Sequence, residues 1–122
     1  TFWSYVGLAR VYLAQTKWYE AKKILEECQK RFSDNSYLVY LLGRTYVALQ
    51  DNAKALDFFT RAIDQKLPEP EAYYDRAHLY DEVLRDKEKA LADYERYRTL
   101  GGKKSAEAFV RINALKNSGY DF

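Results

Sequence analysis

An all-α fold of tandem helix pairs is what the sequence predicts, on three observations. Packing residues recur every 34 positions. Apolar residues within each repeat keep the i, i+3, i+4, i+7 spacing of one helix face. No stretch alternates with period two, so no sheet is expected. Tyr12, Tyr46 and Tyr80 share one column, as do Ala9, Gly43 and Ala77; Tyr5, Val39 and Tyr73; and Arg10, Arg44 and His78. Ala21 and Ala55, Leu25 and Phe59, and Cys28 and Ala62 keep the same step.

The elements follow in order. Tyr5, Leu8, Ala9 and Tyr12 mark one face of a first helix, and Ala21, Leu25 and Cys28 form the stripe of a second. Polar turns separate the stripes at Gln15–Lys17, Gln50–Asn52 and Arg85–Lys87, and Asp51 and Asp86 are placed to cap the helices after them. Pro68 closes the second unit, and Pro70 stands where a first helical turn tolerates proline. The predicted helices cover about 2–15, 17–32, 36–49, 52–66, 70–84 and 87–100. After Gly101 and Gly102 a terminal helix over about 104–117 is expected. Ser105 is its cap, and Ala108, Phe109, Ile112 and Leu115 form its apolar stripe. Lys104, Glu107, Arg111 and Lys116 give it a wet outer face that closes the last repeat. The tail 118–122, with Gly119, is expected to be loose.

Small side chains at Ala9, Gly43 and Ala77 allow two helices to approach closely, and the tyrosines one turn later fill the space beside the crossing. Most of the aromatic count is therefore assigned to packing, with Tyr5, Tyr12, Tyr46, Tyr73, Tyr80 and Tyr94 named for it. The length of 122 residues suits a single domain over 1–122, in repeats of about 2–34, 36–68 and 70–103. Absence of any Met suggests a piece of a longer chain. A net charge of +2 argues against a strongly basic nucleic-acid binder, and one cysteine excludes a disulfide scaffold. No apolar run nears the ~18 residues of a membrane span, and no signal peptide is visible, which leaves the compartment open.

The second unit reads Val39-x-x-Leu42-Gly43-x-x-Tyr46, then Ala55-x-x-x-Phe59, Ala62 and Pro68. This resembles the tetratricopeptide repeat. The first unit matches with Tyr5, Leu8, Ala9, Tyr12, Ala21 and Leu25, the third with Tyr73, Ala77, Tyr80, Ala90 and Tyr94, so the resemblance covers about 2–100. The third unit departs from it. Arg76 replaces the usual Leu, one extra residue precedes Ala90 in the turn around Leu84–Lys87, and Tyr97 stands where a small residue is usual.

The resemblance implies a right-handed superhelical solenoid of three helix-turn-helix repeats plus a capping helix. The first helix of each pair would line a concave groove. Mapped onto this chain, the groove residues are Trp3, Val6, Arg10, Tyr37, Tyr40, Leu41, Arg44, Tyr74, Asp75 and His78. Leu13, Val47 and Asp81 lie one turn further along. Arg10, Arg44 and His78 would set cationic or titratable groups beside Tyr40 and Tyr74, a combination suited to an extended peptide. The same arginines could instead pair with groove acids or simply be solvated. Residues 1–34 carry six basic and four acidic side chains, and residues 69–103 seven and nine, so a groove would be positive at one end and negative at the other.

Some members of the family grip the C-terminal carboxylate of heat-shock chaperones with Lys, Asn, Asn, Lys and Arg. The matching positions here are Val6, Arg10, Leu41, Glu71 and Asp75, none of which keeps the required residue, so that clamp is not expected. Catalysis, metal and cofactors are not expected either. Cys28 sits in a packed small-residue column, His78 has no His or Cys at ligand spacing, and Gly101-Gly102-Lys103 lacks the strand and spacing of a phosphate loop. The expected function is a protein-interaction scaffold that takes a peptide or partner helix in its groove. The alternative is a structural segment of a longer solenoid that self-associates through Phe2 and Trp3. A minor alternative is an RNA-binding helical repeat, set aside because those step by 35 and this chain is nearly neutral.

Overall fold

A computed structural model describes residues 1–33 and 35–118; Gly119 and the rest of the tail lie outside them. The described residues are helical, with no strand among them. They divide into two compact units, Thr1–Leu67 and Pro68–Phe122.

In the first unit α1 (Phe2–Ala14) pairs with α2 (Trp18–Phe32), α3 (Ser36–Ala48) pairs with α4 (Asn52–Asp64), and α2 packs on α3. Helix starts follow from side-chain acceptors. Thr1 Oγ1 accepts from Ser4 N, Asn35 Oδ1 from Tyr37 N and Leu38 N, and Asp51 Oδ1 from Lys54 N. Ala9, Ala21, Leu25, Cys28, Leu38, Val39, Leu42, Ala55, Phe59 and Ala62 are fully buried. A Cβ added to Gly43 would lie 2.7 Å from ring carbons of Phe59, so glycine there sets how closely α3 meets α4. Tyr46 is buried one turn on, stacked on Phe58 at 5.4 Å, and its hydroxyl donates to Glu26 Oε2 at 3.1 Å. Leu8 is an exception to the expected stripe: it is 40% exposed, whereas its counterpart Leu42 is fully buried. The reason is that α1 has its main contact with α2, while α3 lies against both α2 and α4.

In the second unit α5 (Glu71–His78) runs into a π-helical turn, Leu79–Val83, and then come α6 (Lys87–Thr99) and α7 (Ser105–Lys116). Pro70 stands just before α5, its carbonyl accepting from Tyr73 N. Ala77, Ala90, Tyr94, Tyr97, Ala108, Ile112 and Leu115 form one core, with Tyr73, Tyr74, Tyr80 and Leu91 packed partly against it.

The departures in the third repeat are resolved here. The extra residue does not lengthen the Leu84–Lys87 turn. It is taken up inside the helix as the π turn, where Leu84 N donates to Leu79 O. The closing bond therefore runs over six residues, Asp86 N to Tyr80 O. In the first two repeats it runs over five, Lys17 N to Tyr12 O and Asp51 N to Tyr46 O. Arg76 does not disturb the α5–α6 crossing, because it forms a two-bond pair with Asp93 of α6 at 2.7 and 2.9 Å. Tyr97 is 2% exposed. A Cβ on Gly102 would fall 2.1 Å from its ring, so that glycine makes the room a large side chain needs. Ser105 does not cap α7. Its hydroxyl donates to Gly102 O instead, and Lys104, at the cap position, supplies no side-chain acceptor.

Candidate functional site

The predicted groove residues separate by environment. In the first unit Val6, Tyr40 and Leu41 are buried, so they serve packing; Tyr40 rests 5.9 Å from the Phe59 ring. Tyr37 is half-buried and stacks on Tyr40. Arg10 and Arg44 are exposed and make no ion pair with any described residue. They lie one repeat apart on the first helices, α1 and α3. Trp3 is 66% exposed at the start of α1. Beside it Phe2 packs edge-on to Phe32, as does Tyr5.

In the second unit Tyr74 and His78 come together and Asp75 is half-buried. Tyr74 and His78 meet edge-to-face at 4.6 Å, and each lies edge-on to Tyr94, at 6.0 and 5.5 Å. These rings form one side of a pocket of about 370 Å³, and Glu107, Val110 and Arg111 of α7 form the other. The α5 side was legible in the repeat columns. The α7 side was missed, because Glu107 and Arg111 were read as the wet face of a cap. Val110 was not read at all, and it is 68% exposed.

A polar chain holds three of the lining residues, Tyr94, His78 and Arg111, in place. Asp81 is 1% exposed rather than on the groove surface, because the π turn carries it inward. Arg111 donates to it twice, from Nε at 2.5 Å and from Nη2 at 2.8 Å, and Tyr94 donates its hydroxyl at 3.1 Å. Burial alone would raise the Asp81 carboxyl. The Arg111 hydrogen bonds and charge, with Tyr94 and His78, hold it below the usual carboxylate range instead. Burial, and then Asp81, push the Tyr94 phenol far up, so it remains a donor. His78 Nδ1 lies 2.6 Å from Glu82 Oε1 and 3.3 Å from the Tyr94 hydroxyl. The result is a largely apolar hollow whose lining also includes the charged Glu107 and Arg111.

A family model described as the tetratricopeptide repeat matches residues 6–69 and again 40–106. Among solved structures, the fold is similar to PcrH in complex with the chaperone binding region of PopD. The TM-score is 0.82 at 18% identity, over 93% of this chain and 89% of that one. It is also similar to PcrH in complex with the chaperone binding region of PopB, with TM-score 0.77 at 19% identity over 94% of each chain. Comparison with curated proteins finds no match.

Proposed function

The chain belongs to the tetratricopeptide repeat family, and we propose that it is a non-catalytic interaction scaffold whose first-helix faces hold an extended segment or helix of a partner protein. The observation that carries this is the largely apolar pocket lined from α5, α6 and α7, among whose lining residues Arg111 is held by two bonds to buried Asp81. Pre-positioned apolar walls with a few fixed polar groups bind at low ordering cost. The exposed Arg10 and Arg44 add two cations able to fork onto carboxylates or backbone carbonyls. The PcrH structures support the reading, since in them a chain of similar fold holds a region of another protein. They also correct the breadth of one exclusion. The five clamp positions argue against gripping a chaperone's C-terminus, but they say nothing against the chain itself receiving a chaperone-binding region.

Peptides selected by display on the chain supply the probe. Arg10→Glu with Arg44→Glu should weaken their binding at least tenfold and leave the helical signal intact. The matched control is Lys23→Glu with Lys30→Glu on α2, both exposed. Lys22 is unsuitable, because its Nζ lies over the Tyr46 ring. Loss of binding in the α2 pair and none in the arginine pair would move the partner to the other face.

A second reading has its own observation. Trp3, two-thirds exposed beside Phe2 and Phe32, offers aromatic area to another copy or another helix.

A further inference from the structure

The pocket of the second unit is apolar inside and electronegative at its rim, and that combination selects a ligand chemistry. Arg111 lines it, yet its charge is taken up by the two bonds to buried Asp81. Glu107 lines it too, is exposed, and has no ion pair or hydrogen bond with any described residue. Glu82 Oε1 lies 2.6 Å from His78 Nδ1. The field of these carboxylates is felt inside: after burial, Glu107 is the largest cause holding the Tyr74 phenol up, and Asp75 and Glu82 act in the same sense. The face of the Tyr74 ring already attracts a cation of the chain's own, Lys104 Nζ, at 5.7 Å from the centroid.

We infer that this pocket receives a basic side chain of the partner, arginine or lysine, with its stem along Val110 and Ala114 and its charged head between the Tyr74 ring and Glu107. This rests on the scaffold reading above and names the residue type that reading leaves open. A long basic side chain meets both halves of the site, since its methylenes bury against apolar walls while the head stays near a carboxylate. An acidic side chain would meet Glu107 with Arg111 already engaged. A purely apolar one would fill the hollow but leave the rim charge unanswered.

Acetyl-arginine-amide, its neutral isostere acetyl-citrulline-amide and acetyl-glutamate-amide are titrated into the intact chain, following the Val110 and Ala114 methyl resonances. The arginine probe should give saturable shifts, and the citrulline probe should bind about tenfold more weakly. Glu107→Gln should remove most of that difference, and Lys104→Ala, which frees the ring face, should tighten the arginine probe about two- to fivefold. Both residues are exposed, so the melting temperature should not move. Equal binding of arginine and citrulline, preference for glutamate, or no arginine shift up to the solubility limit overturns the inference. In each of those cases, selected peptides that still bind through Arg10 and Arg44 keep the scaffold reading standing; absence of any peptide binder sinks that as well.

Discussion

Gly43 and Arg76 show how single residues set a helix crossing in opposite ways. At Gly43 it is set by subtraction, since even one carbon would enter the Phe59 ring. Gly43→Leu should cost ~1–3 kcal/mol by overpacking, and Tyr46→Ala ~3–5 kcal/mol as a large aromatic truncation. Urea melts of the two variants check both; near-neutral effects would mean that the α3–α4 register is wrong. At Arg76 the crossing is set by a pair where the repeat pattern has an apolar residue. The Arg76 and Asp93 side chains are only 17% and 7% exposed. Asp93→Ala should therefore cost ~3–5 kcal/mol, because it strands a buried guanidinium. Arg76→Leu with Asp93→Leu should recover most of that loss, since replacing both partners of a buried pair by apolar groups is often near neutral. A double variant as unstable as the single one would show that the pair is worth more than its desolvation.

At the scale of the element, the repeat columns made six helices and their small-residue crossings legible, because Ala9, Gly43 and Ala77 can be matched by counting alone, and the stripe Ala108, Phe109, Ile112 and Leu115 marked the terminal helix. The π turn was not legible. One inserted residue between Tyr80 and Asp86 has no side-chain period of its own, and only the backbone bonds show where it is absorbed. The same blindness hid Asp81, counted into the column of Leu13 and Val47 but buried once the π turn re-aims it. Helix ends hid another regularity. Thr16, Gln50 and Arg85 all have φ between 56° and 63°, each after the first helix of its repeat, and Lys66 does so at 61° where the third repeat has Gly101 at 77°. The bonds Asp51 N to Tyr46 O and Leu67 N to Ala62 O close these ends in the manner of a left-handed cap. A side chain in that conformation costs roughly 1–2 kcal/mol, part of which glycine gives back in unfolded-chain entropy. Gln50→Gly should then stabilise the chain by about 0.5–1 kcal/mol, seen as a raised melting temperature. A lowered one would mean that the Gln50 side chain holds the turn in some other way.

At the scale of the whole molecule, both α1 and α7 carry exposed large apolar side chains. α1 packs chiefly on α2 and leaves Trp3 66%, Val11 50% and Leu8 40% exposed. α7 packs on α6 and leaves Val110 68% and Phe109 47% exposed, with the Arg98 guanidinium 4.7 Å from the Phe109 ring centroid. The two surfaces differ in chemistry. Near Val110 the apolar area is interrupted by Glu107 and Arg111, whereas Phe2, Trp3, Tyr5 and Phe32 form a ring cluster in mutual edge contact. Aromatic area of that kind, once desolvated against a second copy, contributes more per residue than scattered aliphatics do. Sedimentation across a concentration series should therefore show the mass rising above that of one chain, and Trp3→Ser should return it to a monomer. Val110→Ser, on the mixed surface, should leave the association unchanged. A chain that stays monomeric at every concentration would confine the Trp3 cluster to contacts with other partners. Association abolished by Val110→Ser and not by Trp3→Ser would place the contact on α7 instead.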